Sequence, residues 1–242
     1  MTAKALETKL KKLGTKERAR VNAYFFKTGK GEYGEGDKFL GVTVPDIRKA
    51  IITFLHLPFS EIKKCLESPY HEVRLAGVLI LVFQYKHAKG KEEEKKIFDF
   101  YIKNARNINN WDLVDSSSEH IVGPYISHHM NHTERLAFLK KGITSKNLWM
   151  NRIVVLSSFY QIKQGNEKLT YFLAPQFFTH THDLMHKAVG WMLRETGKKV
   201  SKEKLVKFLD VHAHKMPRTM LRYAIEHFSK SDRTKFLSKR GA

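Results

Sequence analysis

Cysteine is nearly absent from the 242 residues, and Cys65 alone excludes an intramolecular disulfide and any cysteine-rich metal site. Its position between Ile62 and Leu66, at helical spacing, predicts a buried structural thiol, because free cysteine behaves as a small hydrophobe. Long apolar runs are missing too. The longest, Ala76 to Phe83, has the length of a core helix and falls far short of the roughly 18 residues that cross a bilayer, so no membrane partner is expected. The opening Met1-Thr-Ala-Lys-Ala-Leu-Glu shows helical charge alternation and no apolar stretch followed by a cleavage site. No secretory signal is expected, and the expected location is the cytoplasm, with the nucleoid. Strictly alternating β-branched runs hardly occur, which argues against sheets. Acid is scarce, with 24 Asp and Glu against 44 Lys and Arg for a formal charge of +20. That excess runs from Lys4 to Arg240 and belongs to a folded surface built to meet a polyanion such as duplex DNA or structured RNA.

What is present is helical periodicity. Apolar residues recur three and four apart, predicting helices over 3–13, 16–27, 44–55, 59–67, 70–87, 92–106, 111–128, 132–142, 147–163, 166–178, 182–197, 201–212, 215–229 and 231–239. An all-α single domain over 1–242 is expected, with 42% apolar residues to fill its core. Several helices put a basic residue at the start of an apolar run, each after a shorter polar helix. Taking Arg74, Asp115, Arg152, Lys187 and Arg222 as equivalent gives steps of 41, 37, 35 and 35 residues, which fits helical-hairpin repeats of the HEAT or armadillo kind. Such repeats stack into a curved solenoid whose concave groove the cations would line. The bland reading makes them ordinary antiparallel pairs with solvated helix starts.

In that series Asp115 takes the place of a cation. Asn110-Trp-Asp-Leu-Val-Asp115 puts Trp111 and Asp115 four apart on one helix face, with Asp112 and Asp115 on a neighbouring stripe, so Trp111 and Asp115 can reach one ligand. Asp112 also suits a helix N-terminus, where it favours the dipole. In Lys187-Ala-Val-Gly-Trp191-Met-Leu-Arg194, the residues Lys187, Trp191 and Arg194 make a basic and aromatic stripe suited to nucleic acid.

Other patterns carry less. The glycine-rich Lys27 to Thr43 segment lacks a P-loop ending and does not join a strand to a helix, so it reads as a structural connection into the helix begun by Val44-Pro45. His128-His129-Met-Asn-His132, His180-Thr-His182 with His186, and His212-Ala-His214 offer no convincing third ligand at fixed spacing, and no metal or cofactor is expected. Ser116-Ser-Ser118 beside Glu119-His120 matches a hydrolase triad in composition only, since adjacent helical residues point apart.

Trp111-Asp-Leu-Val-Asp115, Asn147-Leu-Trp-Met-Asn-Arg152 and Lys187-Ala-Val-Gly-Trp-Met-Leu-Arg-Glu195 together resemble the AlkD-type DNA alkylation repair glycosylases, whose N-terminal signature Lys38-Phe-Leu-Gly-Val-Thr-Val-Pro-Asp-Ile-Arg48 also resembles. The likeness runs from about residue 10 to about residue 230. It implies a HEAT-like solenoid that binds duplex DNA in a basic groove and removes N3- and N7-alkylated purines. By position it makes Asp115 the catalytic carboxylate, Trp111 and Trp191 aromatic walls beside the lesion sugar, and Arg152 and Arg194 backbone contacts. Lys187 and Trp149 match family positions, Tyr24 matches a further aromatic more loosely, and Arg74 follows from the repeat series. The likeness further implies that the damaged nucleotide need not enter a deep base pocket. No lysine stands out as a Schiff-base nucleophile, so a monofunctional enzyme that leaves an abasic site is expected, acting as a monomer. The alternatives are a non-catalytic HEAT-like protein that binds duplex or branched nucleic acid, a protein-interaction solenoid and an RNA-directed role. The first gains nothing from an acid flanked by tryptophans, and the second has no need of the charge.

Overall fold

The computed structural model describes residues 1–238, and among them the chain is all-α, with fifteen α-helices and no strand. Two compact units divide it, residues 1–121 and 122–242.

The first unit contains α1 (Ala3–Leu13), α2 (Lys16–Phe25), α3 (Val44–Ala50), α4 (Phe59–Leu66), α5 (His71–Lys86), α6 (Lys91–Lys103) and α7 (Trp111–Asp115). Local chemistry sets the starts. The hydroxyls of Thr2, Thr15 and Thr43 each accept a first-turn N–H, and Thr43 precedes a Val-Pro start suited to proline's fixed φ. The centre of the unit is α5, buried from His71 to Leu81, with α4, α6 and α7 packed against it. Cys65 on α4 is fully buried, as its spacing predicts, and burial pushes its thiol up to about 12. Helix α2 is different: it has no buried residue and exposes Val21, Tyr24 and Phe25.

Helix α8 (Ser118–His128) runs across the division at residue 121. The second unit continues with α9 (His132–Ile143), α10 (Leu148–Lys163), α11 (Lys168–Leu173), α12 (Asp183–Lys199), α13 (Lys202–His212), α14 (Arg218–Ala224) and α15 (Lys230–Ser238). Here α10 packs on α12 and α12 on α14, with the shorter α9 and α11 against α10 and α12. Short helices pack against longer ones at α4–α5, α9–α10 and α11–α12.

The predicted helices differ from the observed ones where a side chain or a proline intervenes. The 111–128 prediction breaks at Ser116 and Ser117, where the Ser117 hydroxyl donates back to the Leu113 carbonyl at 2.7 Å, the competition that makes serine a poor interior residue. The 166–178 prediction ends its α-turns at Leu173 and continues as a 3-10 turn holding Pro175, and the 44–55 prediction gives way to a 3-10 turn at Ile51. The 215–229 prediction is confined to Arg218–Ala224 behind Pro217. Residue 239 of the last predicted helix lies outside the described residues. No helix among the described residues is long and apolar enough to cross a membrane.

Candidate functional site

In the first unit the site is built on the first turn of α5. Tyr70 offers that helix no side-chain cap, and the Lys38–Val42 segment supplies the missing partners. The Lys38 carbonyl accepts the His71 N–H at 2.8 Å, while the buried Glu72 carboxylate reaches back to accept from the amides of Leu40 (2.9 Å), Gly41 (2.8 Å) and Val42 (3.3 Å). Gly41 makes the turn possible: its φ is +79°, and a Cβ there would lie 2.2 Å from the Thr15 carbonyl oxygen.

This folded-back segment brings Asp37 to the α5 side chains. Asp37 Oδ2 lies 2.6 Å from a guanidinium nitrogen of Arg74 and 3.4 Å from His71 Nδ1, and it accepts from the Asn110 amide at 3.4 Å. The other ring nitrogen of His71 lies 2.8 Å from Asp112 Oδ2. Burial opposes ionisation of both groups, and their partners outweigh it. The His71 hydrogen bond and the Arg74 charge hold Asp37 below the usual carboxylate range, and the Asp112 charge with hydrogen bonds to both acids lifts His71 to about 9. At neutral pH the core of this unit therefore contains an imidazolium held between two carboxylates, one of which, Asp37, also meets the Arg74 guanidinium.

Asn110 and Asp112 are also the start of α7. The Asn110 side-chain Oδ1 accepts the Trp111 N–H at 2.8 Å, and Asp112 Oδ1 accepts the Leu113 N–H at 2.9 Å. Trp111 and Asp115, both half-buried, occupy the two ends of this five-residue helix, four apart as the spacing predicts. Trp111 stacks on Phe26 (centroids 5.2 Å apart, planes at 17°), and Phe26 in turn lies against Phe39 and His71. Phe25 sets its edge against Trp111 at 6.0 Å while remaining 61% exposed. A cavity of 280 Å³ opens beside the cluster, lined by Arg18, Asn22, Phe26, Phe39, His71 and Asp112 among others. Behind α7 the buried Tyr101 hydroxyl shares a 2.7 Å hydrogen bond with Ser117, and burial together with the Asp115 charge raises its pKa.

In the second unit, Asn147-Leu-Trp-Met-Asn-Arg152 is largely a structural device. Asn147 caps α10 by accepting from the amides of Trp149 and Met150, and Asn151 donates to the Gly142 and Ser145 carbonyls at the end of α9. Trp149 is buried, and Arg152, 4% exposed, donates to the Leu184 carbonyl at 2.6 Å, tying α10 to the first turn of α12. On α12, Gly190 lets α14 approach, Trp191 is half-buried with its ring 5.6 Å from that of Phe159, Lys187 pairs with Asp183 at 2.7 Å, and Arg194 pairs with Glu226 and Glu195. His180, His182 and His186 stand at the entry to α12, where His182 accepts the Leu184 N–H and burial lowers the pKa of both His180 and His182. Among the described residues no group of three or more His, Cys, Asp or Glu is placed to hold a metal ion.

The expected site residues thus fall into two sets, Tyr24, Arg74, Trp111 and Asp115 in the first unit and Arg152, Lys187, Trp191 and Arg194 in the second. Arg74 and Arg152 were both expected at a groove surface. They are 5% and 4% exposed, with guanidinium groups turned to Asp37 and to the Leu184 carbonyl. Tyr24 is 90% exposed, and it is its neighbour Phe25 that meets Trp111. The glycine-rich loop has its own anions, since Glu32 accepts from Gly29 N–H at 2.9 Å and Glu35 from Gly31 N–H at 2.8 Å. Sequence reasoning missed Asp37, His71, Glu72 and Phe26: Asp37 adjoins the Lys38–Val42 segment and His71 and Glu72 open the helix that carries Arg74, while Phe26 carried no local signal.

Residues 6–228 match the family described as DNA alkylation repair enzyme. A solved structure described as a predicted DNA alkylation repair enzyme from Enterococcus faecalis is similar in fold, with a TM-score of 0.68 at 16% identity over 90% of this chain and 97% of that one. No curated protein sequence matches the chain.

Proposed function

The chain belongs to the DNA alkylation repair enzyme family, and from that premise we propose that it is a monofunctional DNA glycosylase. It hydrolyses the N-glycosidic bond of N3- and N7-alkylated purines in duplex DNA and leaves an abasic site. Alkylation at either nitrogen makes the purine a cation and a good leaving group, so no general acid need protonate it. The remaining demand is at the sugar, where positive charge develops as the bond breaks. Ionised Asp115 stabilises that charge and orients the attacking water. Trp111, on the same short helix, presents a ring face that attracts the cationic sugar and base, and Phe25 extends that aromatic wall. In the second unit Lys187, Trp191 and Arg194 form a basic and aromatic stripe of their own on α12 that contacts the DNA. Arg74 and Arg152 act from within, the first by holding Asp37 and the second by fixing the start of α12.

The observation that carries this reading is α7 itself, a five-residue helix that presents an aromatic and a carboxylate four apart in a chain of net charge +20. A protein that only gripped phosphate would gain nothing from that carboxylate. The deciding experiment is single-turnover release of 7-methylguanine from a duplex oligonucleotide, with the wild type and Asp115→Asn side by side. Loss of one electrostatic catalytic group should slow release by about 10²–10³-fold while duplex binding persists. Equal rates for the two proteins would remove Asp115 from the mechanism. Duplex binding with no release by either would replace the glycosylase with a non-catalytic nucleic-acid-binding protein.

A further inference from the structure

We propose that His71 is the positioning residue of this site: hydrogen-bonded to Asp112 on one side and Asp37 on the other, its buried ring fixes the short helix α7 and so the aim of Trp111 and Asp115. A helix of five residues does not hold itself together in water, so something else must place it. Its buried pair, Leu113 and Val114, sets how deeply it sits. Apolar packing is non-directional, however, and leaves rotation about the helix axis weakly determined. Directional bonds complete the placement at two points, Asp112 to His71 at 2.8 Å and the Asn110 amide to Asp37 at 3.4 Å, and Asp37 is itself shared with His71.

The ring must be charged to do this. Two carboxylates face its two nitrogens, and only an imidazolium donates from both, whereas a neutral ring leaves one carboxylate facing a lone pair. The groups around it are Asp112 from α7, Asp37 from the glycine-rich segment, Arg74 and Glu72 from α5, and Arg18 of α2 across the 280 Å³ cavity. The ring also lies 4.7 Å from Phe26 and 4.8 Å from Phe39 between centroids, and Phe26 also stacks on Trp111. Loss of the proton therefore reaches Trp111 by two routes, through Asp112 in its own helix and through the Phe26 ring beneath it.

Two measurements test this, and only the second rests on the glycosylase reading. With 5-fluorotryptophan at the three tryptophans and the Trp111 resonance assigned through Trp111→Phe, fluorine NMR should show that resonance moving with a midpoint near pH 9 in the wild type and staying still in His71→Arg, which keeps the charge. A Trp111 resonance that is flat from about pH 7 to about pH 10.5, or one that titrates equally in His71→Arg, would overturn the proposal. In single-turnover release of 7-methylguanine at saturating protein, His71→Gln should lose on the order of 10²-fold with duplex affinity unchanged, and His71→Arg should recover most of that loss and keep its rate at alkaline pH. A folded His71→Gln protein with the wild-type rate would overturn it as well. Absence of release by the wild type would defeat the glycosylase reading alone, because the fluorine titration of the unaltered protein still decides the role of His71.

Discussion

Gly190, the residue before Trp191, gives the sharpest stability test because two effects of opposite sign compete there. In a helix interior, alanine is favoured over glycine by about 1 kcal/mol. A Cβ at position 190 would stand 2.4 Å from the Met220 carbonyl oxygen and 2.6 Å from Tyr223 Cβ. Neither atom is the loose end of a side chain, so α12 and α14 must separate by about 1 Å to restore ordinary contact, and a gap of that size forfeits about a quarter to a half of each dispersion contact it opens. Overpacking of this kind typically costs about 1–3 kcal/mol, and since the α12–α14 contact is extensive the upper end applies. Gly190→Ala should thus be destabilised by about 2 kcal/mol net of the propensity gain, and its thermal midpoint should fall by about 4–8 °C in a chain of this size. Gly197→Ala is the control. Its Cβ would meet Leu205 Cδ2 at 2.4 Å, the far end of a flexible side chain that can turn away. Circular dichroism melts of the three proteins check the reasoning. A Gly190→Ala midpoint at or above that of the wild type, or an equal loss in Gly197→Ala, would refute it.

Two further outcomes concern α5. Glu72→Ala removes the acceptor of three backbone N–H groups, two of them paired at 2.9 Å or less. At about 1–3 kcal/mol for each donor left unsatisfied, the loss should be several kcal/mol by urea denaturation, with amide exchange at Leu40 and Gly41 speeding first. His71, lifted from its ordinary 6.5 to about 9 in the folded chain, binds a proton that the unfolded chain releases, so its contribution of about 3 kcal/mol is complete below pH 6.5 and is lost as pH rises through 9. The difference in unfolding free energy between wild type and His71→Gln should shrink across that window, and a constant difference from pH 6 to 10 would count against the buried imidazolium.

Most helices were legible in the sequence because burial of one face leaves a three-and-four rhythm that tertiary contacts seldom erase. The break after Asp115 was not, because it depends on the Ser117 hydroxyl returning to Leu113 while also meeting Tyr101, a partner from another helix. Trp111 and Asp115 stood out through their spacing and the scarcity of acid. Arg74 and Arg152 read as surface cations, since nothing local distinguishes a solvated arginine from one whose acceptor arrives from 37 residues upstream or 32 downstream. His71 was hidden for the same reason, as its two acids come from segments 34 residues before it and 41 after it. Tyr24 and Phe25 differ by one position, which on a helix is about 100° of rotation, and an alignment loose by one residue cannot choose between them.

The buried charges of the first unit need an explanation other than stability. Taking Asp37, His71 and Arg74 out of water costs several kcal/mol per ion, and well-packed apolar residues in place of such a network often leave a protein as stable or more so. What an apolar replacement cannot reproduce is direction. Asp37 and Asp112 are acceptors at fixed angles, and through Asn110 and Asp112 they engage the residues on either side of Trp111. A hydrophobic patch in their place would hold α7 at the same depth and let it roll, and a roll of one residue's worth would turn Trp111 and Asp115 away from any common ligand. Under the proposed reaction an error of about 1 Å at the carboxylate costs about a hundredfold in rate, which outweighs a kcal/mol or two of lost stability. The network is therefore best understood as orientation retained at the expense of stability, and it makes the placement of α7 depend on a proton held by the residue it rests against.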